Sequence, residues 1–275
     1  MHLNFKFSLV LLLIPVSGEP CSVFRYDAQG AAYVAKSFDL ETPVEPFAVR
    51  EPAGLARKTA GGFSWVSKYG GVTIRLRGTT SELPGCGMNE RGLVCEAPVL
   101  AGTPYSQPGE GPELNELEFL QYQLDNFSTV QEIAANASKF RIRRQFTPLH
   151  YMCCDKASCV SIQPQKRGIS VTPMPVPALT NVPYASASAE LGGYEGFGGS
   201  KPVPSGFGTF QRFVRAASYT RYDSAFPPLD FGLRGLDSLY IDGATRWQAL
   251  YDMNSRKVYL RRAKGGHLDV FDADN

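Results

Sequence analysis

Hydrophobic and polar residues alternate over short stretches along most of the chain, a pattern typical of half-buried strands. Turn residues separate neighbouring stretches of this kind, so strand pairs are expected. These pairs join residues 22–27 to 31–38, 63–67 to 72–77, and 85–90 to 93–97. Further strands are expected at 149–154, 159–163, 236–241, 246–252 and 257–262, and another from Ala178 that ends before Pro183, because proline cannot continue a ladder.

Helical periodicity appears in the middle of the chain. Residues 113–125 carry one apolar face, formed by Leu117, Leu120 and Leu124. A second helix is expected to begin near Thr129, because Thr129 and Glu132 have the spacing of a capping box. Shorter helices are expected at 184–191 and 209–218. Runs of strands with helices segregated between them predict an α+β layered fold rather than alternating βαβ units.

The first residues have the pattern of an export signal. Phe7 to Val16 is an apolar run that follows Lys6, and it is shorter than the about 18 residues needed to span a bilayer. Small residues, Ser17 and Gly18, follow it where a signal peptidase would cut. We expect residues 1–20 to be a signal peptide with a short pro-segment. Residues 21–275 would then form an exported domain, periplasmic or secreted, without a membrane span. A buried N-terminal strand is the alternative.

Charge and length narrow the class of protein. The formal net charge is +2, and lysine and arginine are scattered along the sequence. The densest basic run, residues 141–144, lies on an alternating stretch and is interpreted as a solvated strand face, so no nucleic-acid partner is expected. About 255 residues beyond position 20 suffice for one large domain or two small ones.

Six cysteines occur, at positions 21, 86, 95, 153, 154 and 159. A zinc site would need several ligands close together. Adjacent strand residues such as Cys153 and Cys154 point to opposite faces, which favours hydrophobic packing or one local disulfide over a metal site. If Cys21 stays a thiol, the remaining five cannot all pair within the chain. No metal is expected.

Cys21 is the strongest candidate nucleophile. The sequence contains no Gly-x-Ser-x-Gly elbow, and neither His150 nor His267 lies near a recognisable nucleophile turn. A thiol at the first residue of a chain can instead be activated by its own α-amino group, whose pKa is about 7.7–8.0. Cys21 follows the predicted signal and precedes a strand. The alternatives are a disulfide cysteine or a lipid-attached one, and Glu19-Pro20 argues against the latter because a lipobox has a small residue before the cysteine.

Several motifs resemble, in order and over residues 21–262, the choloylglycine hydrolase and penicillin V acylase family of N-terminal nucleophile hydrolases. They are Cys21-Ser-Val-Phe24, Lys36-Ser-Phe-Asp39 (usually Arg-x-x-Asp), Trp65-Val-Ser-Lys-Tyr-Gly70, Gly87-Met-Asn-Glu-Arg-Gly-Leu93, Leu124-Asp-Asn-Phe-Ser-Thr-Val130, Pro148-Leu-His150, Leu179-Thr-Asn-Val-Pro183, Arg212-Phe-Val-Arg-Ala-Ala217 and Thr245-Arg-Trp247. The resemblance implies a four-layer αββα sandwich that hydrolyses linear C–N amide bonds in small N-acyl substrates of bile-salt, penicillin V or acyl-homoserine-lactone type. The resemblance implies no cofactor, and it suggests an oligomer of identical chains.

The resemblance also implies roles for individual residues. Cys21 would supply the thiol nucleophile and the amino base, and Asp39 would accept hydrogen bonds from the Cys21 amine. Lys36 and Arg212 are the candidates for a cation that lowers the pKa of the thiol. Asn181 would donate a side-chain N–H to the developing oxyanion. A structural ion pair of Asp39 with Arg212, and a turn-capping role for Asn181 before proline, are the alternatives.

Other positions bear on the substrate and on activity. Phe24 and Val99 are expected at the substrate, and Val99 stands where the family commonly has Asn or Tyr. Loop aromatics that would line an acyl pocket are Tyr69, Tyr105, Phe197 and Phe207. Lys36 replaces a planar guanidinium with a point charge, residues 215–236 are shorter than the family's helical region and rich in proline, and Glu19-Pro20 requires a second cut. A divergent or inactive exported binding protein is therefore the main alternative, and a disulfide-held structural domain is another.

Overall fold

The computed structural model describes residues 20–77, 83–107, 109, 111–221 and 226–274, so nearly all of the predicted signal segment lies outside the described residues. The strands are β1 (Ser22–Ala28), β2 (Ala31–Asp39), β3 (Pro46–Glu51), β4 (Ala56–Lys58), β5 (Ser64–Val66), β6 (Gly71–Leu76), β7 (Cys86–Asn89), β8 (Val94–Glu96), β9 (Glu113–Asn115), β10 (Arg141–Arg143), β11 (Tyr151–Cys154), β12 (Cys159–Pro164), β13 (Ile169–Pro173), β14 (Ala178–Leu179), β15 (Thr245–Asp252), β16 (Lys257–Arg261) and β17 (Asp269–Asp272). The helices are α1 (Glu116–Asn126), α2 (Val130–Asn136), α3 (Tyr184–Leu191), α4 (Thr209–Tyr219) and α5 (Pro228–Ser238). None of the helices in this described part combines the length and apolarity needed to cross a bilayer.

One antiparallel sheet has the strand order β14-β1-β2-β15-β16-β17. It contains the predicted β1–β2 hairpin, in which Ser22 pairs with Ser37 and Ala28 with Ala31. The two-residue loop has both residues at positive φ, Gln29 at 53° and Gly30 at 75°, which is the backbone that a tight hairpin turn needs. This hairpin brings the start of β1 beside the end of β2.

The second sheet is also antiparallel, with the order β13-β12-β11-β8-β7-β6-β3. Two disulfides lie in it: Cys95–Cys153 joins β8 to β11, and Cys154–Cys159 joins β11 to β12. The adjacent residues 153 and 154 bond in different directions, as strand alternation predicts. The cysteines form two disulfides where the sequence favoured one local bond or hydrophobic packing, and Cys21 belongs to neither.

The two sheets face each other, and helices cover both outer faces. Helices α4 and α5 pack on β1, β2, β14 and β15, whereas α1 packs on β7 and β8. One buried cluster contains side chains from both sheets, including Val34, Ile74 and Leu250. A second cluster fills the space under α1 and α2, around Phe119 and Ile133. This arrangement confirms the predicted four-layer αββα sandwich.

Helix α5 corrects the strand expected at 236–241. Proline in the first turn suits the start of a helix, because its missing N–H would have no helical partner. Gly232 and Gly235 let the helix approach the sheet closely, since a Cβ at either position would overlap Tyr26 or Phe24. Because these glycines lower the intrinsic helix propensity of the segment, the sequence pattern predicted a strand. Close packing against β1 favours the helix instead. The short segment after α4 is therefore still helical.

Two further expectations are corrected by the pairing. Residues 64–66 pair with β4, and β6 pairs with β3 and β7, so the expected hairpin between 63–67 and 72–77 does not form. The helix expected from residue 113 begins at Glu116, because Asn115 is its N-cap and accepts hydrogen bonds from the backbone N–H groups of Leu117 and Glu118. The preceding residues form β9, which pairs with β10. The capping box of α2, Thr129 with Glu132, is confirmed.

The two disulfides should differ in their contribution to stability. Cys95–Cys153 spans 58 residues and Cys154–Cys159 spans 5. Because each disulfide lowers the entropy of the unfolded chain, they are expected to stabilise the fold by about 4 and about 2 kcal/mol respectively. We expect C95A/C153A to lose roughly 2 kcal/mol more free energy of unfolding than C154A/C159A, as measured by denaturant titration of the oxidised proteins. Equal losses from the two double variants would contradict this expectation.

Candidate active site

Cys21 lies directly before β1 and is buried. Its backbone N–H donates a hydrogen bond to Asn181 Oδ1 at 2.9 Å. The residue lines a cavity of about 270 Å³ whose walls come from both sheets, with Lys36 from β2, Cys86 from β7 and Trp247 from β15. The candidate nucleophile therefore borders a space that is large enough for a small organic group.

Arg212, on α4, fixes the chain around Cys21. Its fully buried guanidinium donates from Nη1 to the carbonyl oxygen of Cys21 at 2.8 Å and to Ser22 Oγ at 2.7 Å. Nη2 donates to Asn181 Oδ1 at 3.1 Å, and Nε donates to the carbonyl of Phe207 at 3.0 Å. Burial lowers the pKa of Arg212, but a guanidinium stays protonated in proteins. One side chain thus connects α4 with the start of β1 and the end of β14.

Asn181 joins three segments of the chain. Its Oδ1 accepts hydrogen bonds from the Cys21 N–H and from Arg212, while its Nδ2 donates to the carbonyl oxygen of Val99 at 2.8 Å. Each amide atom thus meets groups of matching polarity, which settles the orientation of the amide. These partners are distant in sequence, so the side chain links segments rather than only capping the turn before Pro183.

His150 holds the backbone next to Asn181, through a hydrogen bond to Thr180. Its buried Nε2 lies 2.7 Å from the carbonyl oxygen of Thr180 and therefore carries the hydrogen, because a carbonyl only accepts. Burial lowers the pKa of His150 to about 4; the hydrogen bond to Thr180 opposes this shift, and the charge of Lys36 adds to it. The ring is neutral at pH 7 and holds the backbone beside Asn181.

Asp39 lies at the end of β2 and is completely buried. Its Oδ1 accepts hydrogen bonds from Ser37 Oγ at 3.0 Å and from Thr245 Oγ1 at 2.5 Å. Burial raises the pKa of Asp39 to about 6, against the lowering effect of Thr245, then of the Arg212 charge. The carboxyl group is therefore ionised at neutral pH but is held less strongly in that form than a solvent-exposed aspartate.

Lys36 forms an ion pair that crosses between the sheets. Its Nζ lies 2.9 Å from Glu96 Oε2 on β8, and the two side chains are 2% and 0% exposed. Burial alone would lower the pKa of Lys36, but the charge of Glu96, the two nearby thiols of Cys21 and Cys86 and the hydrogen bond to Glu96 together outweigh this effect, so the pKa lies above its usual value. Cys86 is the cross-strand partner of Glu96. Burial, together with the charge of Glu96, raises the pKa of this second thiol well above its ordinary value, so Cys86 is protonated at neutral pH.

Of the two residues predicted to contact the substrate, only Val99 lies at the cavity. Val99 lines the cavity and forms an isolated β-bridge with Leu149, which also lines it. Phe24 instead faces the helical layer, with its ring centroid 5.5 Å from that of Tyr219, because alternate residues of β1 point away from the cavity. The loop aromatics Tyr69, Tyr105, Phe197 and Phe207 are also absent from the described cavity wall. The aromatic side chains that do line it are Phe38, Phe146 and Trp247.

Sequence reasoning missed the partners that hold the main residues. Ser22 accepts from Arg212, Thr245 donates to Asp39, His150 bonds next to Asn181, and Glu96 pairs with Lys36. The first three lie inside motifs quoted above, which was the available signal, whereas Glu96 lies outside every motif. Among the described residues, no group of three or more His, Cys, Asp or Glu side chains is arranged to hold a metal ion.

The layered sandwich with a cysteine at the head of its first strand defines the class, an N-terminal nucleophile hydrolase fold. Within that class, the chain belongs to the linear amide C–N hydrolases of the choloylglycine hydrolase family, which match residues 21–218.

Two characterised proteins are similar in sequence to this chain. A bile salt hydrolase/transferase from Lactiplantibacillus plantarum is 26% identical over 168 residues, 50% of this chain and 52% of the relative. A penicillin V acylase from Pectobacterium atrosepticum is 26% identical over 226 residues, 73% of this chain and 60% of the relative. The chain thus spans between half and three fifths of the length of these relatives.

Solved structures show the same fold. A variant of the conjugated bile acid hydrolase from Clostridium perfringens has a TM-score of 0.79 at 17% identity and covers 93% of this chain and 94% of its own. The penicillin V acylase from Agrobacterium tumefaciens has a TM-score of 0.78 at 21% identity, with 92% and 86% covered. At these identities the likeness establishes the fold alone.

The buried His150 should make stability depend on pH. The pKa of His150 is about 4 in the folded protein and about 6.5 in the unfolded chain. The neutral ring therefore contributes its full share to the free energy of unfolding above pH 6.5, and this share is lost as pH falls toward 4. His150→Gln keeps an N–H donor but does not titrate. We expect the free energy of unfolding of the wild type, relative to H150Q, to fall by roughly 3 kcal/mol over this interval. A difference that stays constant with pH would contradict the buried neutral state.

Proposed function

We propose that the protein is an exported amidohydrolase in which Cys21, freed as the amino terminus by removal of residues 1–20, is the nucleophile. The substrate would be a small N-acyl amide of bile-salt, penicillin V or acyl-homoserine-lactone type. The observation that carries the proposal is the position of Cys21, which borders a mostly apolar cavity while its backbone is held by Asn181 and Arg212. An acyl group in the cavity would place its carbonyl near the thiol.

The reaction follows from these groups. The α-amino group of Cys21 takes the thiol proton, and the thiolate attacks the amide carbonyl to form a tetrahedral oxyanion. Collapse of this intermediate breaks the C–N bond, and the departing amine takes a proton from the α-ammonium group. Water then attacks the thioester, with the α-amine as base, and releases the carboxylic acid and the thiol. No cofactor enters these steps.

We assign Asn181 to the oxyanion, because its Oδ1 accepts a hydrogen bond from the Cys21 N–H and thereby holds the donor Nδ2 of the same amide near the nucleophile. The catalytic value of one such donor is about 2.7–4 kcal/mol in comparable sites. We assign Asp39 to the new α-amino group, which has more N–H donors than the peptide nitrogen it replaces. Asp39 Oδ2 is buried and has no hydrogen-bond partner among the described groups, which supports this role. Arg212 would act mainly by fixing the backbone of Cys21, and Lys36 by its charge.

One observation favours a second candidate, a divergent exported relative that binds acyl compounds without hydrolysing them. The ammonium group of Lys36 is paired with Glu96, which reduces the field it exerts on the thiol of Cys21. In that case the cavity would retain its ligands while the thiol stays protonated. Turnover that depends on Cys21 separates the two candidates.

The nucleophile can be tested by labelling. A chloromethyl ketone with an apolar acyl group should add one equivalent to protein whose mass shows that it begins at Cys21. Because Cys86 is a protonated buried thiol, C86S should still be labelled, whereas C21A should lose both labelling and amide hydrolysis. A secreted mature chain that begins at another residue, or labelling that survives in C21A, would refute the proposal.

The oxyanion role of Asn181 predicts a change in rate rather than in binding. Asn181→Ala should lower kcat by about 10²–10³ with a much smaller change in KM, because the donor acts on the transition state. Thr180→Ser, which keeps the neighbouring backbone, serves as the matched control and should retain most activity. A rise in KM at constant kcat would assign Asn181 to ground-state binding instead.

A further inference from the structure

The ion pair between Lys36 and Glu96 controls the charge of the cavity wall. Among the described residues that line the cavity, only Lys36 carries a charge, and the remaining wall is dominated by apolar side chains such as Phe38, Ile74 and Leu149. Glu96 does not line the cavity. It lies behind the wall on β8, fully buried, with Oε2 2.9 Å from the Lys36 ammonium.

We propose that Glu96 is a specificity-determining residue: by neutralising Lys36 from behind the cavity wall, it restricts the site to uncharged acyl groups. This inference rests on the proposed amidase function and names its substrate class more closely. The geometry sets the effect, because the pair joins β2 to β8 and holds the ammonium against the opposite sheet.

The physical reason is desolvation. A carboxylate on the acyl chain would lose its water on entering an apolar cavity and would need a cation to compensate. The one cation in the described wall is already paired with a closer, buried carboxylate. A carboxylate on the acyl chain would therefore meet an ion pair without net charge, in which Glu96 repels it. The enzyme would then discriminate against acyl chains that carry a carboxylate.

Replacing Glu96 with the isosteric amide should reverse this preference. Glu96→Gln removes the counter-ion of Lys36, and an acyl carboxylate would then become the favourable partner for the ammonium form of this lysine. Because Lys36 is within electrostatic range of the Cys21 thiol, acyl chains of short and intermediate length are the suitable probes.

The experiment compares succinyl, glutaryl and adipoyl p-nitroanilides with the butanoyl, pentanoyl and hexanoyl compounds, using protein that begins at Cys21. The wild type should prefer the uncharged member of each pair in kcat/KM by about 100-fold. E96Q should shift at least one ratio toward the charged member by about 10-fold or more. K36M/E96Q, which replaces the pair by neutral residues, should show no such shift, and Glu45→Gln on the exposed surface controls for the substitution itself.

Other outcomes decide against the inference. A shift below about threefold in every pair for folded E96Q would overturn it. If E96Q does not fold, the wild type alone decides: the monomethyl esters of the three diacid amides should be hydrolysed like the uncharged amides, and equal rates for ester and free acid would overturn the inference. If protein beginning at Cys21 hydrolyses none of the uncharged amides, both the proposed amidase function and the role of Glu96 are refuted. If the amides are hydrolysed but E96Q does not shift the ratios, only the role of Glu96 is refuted.

Discussion

The guanidinium of Arg212 makes the contacts around which the site is assembled. It reaches from α4 to the carbonyl of Cys21, the hydroxyl of Ser22 and the side chain of Asn181. A buried charge is stable only when its hydrogen bonds are made, so the start of β1 and the end of β14 must come together for Arg212 to be accommodated. Folding of the helical layer onto the first sheet therefore also positions the candidate nucleophile.

Features with a local pattern were predicted from the sequence, among them the β1–β2 hairpin and the capping box of α2. The order of the motifs named Cys21, Asp39, Asn181 and Arg212 as candidates, but it did not predict the hydrogen bonds that Arg212 makes. The residues that hold them were less visible, because Ser22 and Thr245 act through contacts between segments about 190 and 206 residues apart in sequence. Such contacts leave no periodicity. Helix α5 was missed for a related reason, since its glycines make sense only against the rings of Tyr26 and Phe24.

The two buried cations near the thiol differ in their partners. Arg212 uses its fork of donors on a carbonyl, a hydroxyl and an amide, which fixes geometry without cancelling its charge. Lys36 faces a carboxylate, so its field at a distance is that of a dipole and falls off faster than that of a single charge. A planar guanidinium at position 36 would have had further donors to offer beyond one carboxylate. Lysine therefore suits position 36, where the ammonium group interacts mainly with one counter-ion, Glu96.

Burial affects the titrating groups around Asn181 and Asp39 in opposite directions. Desolvation raises the pKa of Asp39 to about 6 and lowers that of His150 to about 4, and in each case it favours the neutral form. As pH falls below 6, Asp39 gains a proton that stabilises the fold, while His150 resists one and destabilises it. The two contributions oppose each other over the same interval, so the fold tolerates mild acid better than His150 alone would allow. In the proposed mechanism activity would not share this tolerance, because a protonated Asp39 would no longer hold a charged amine.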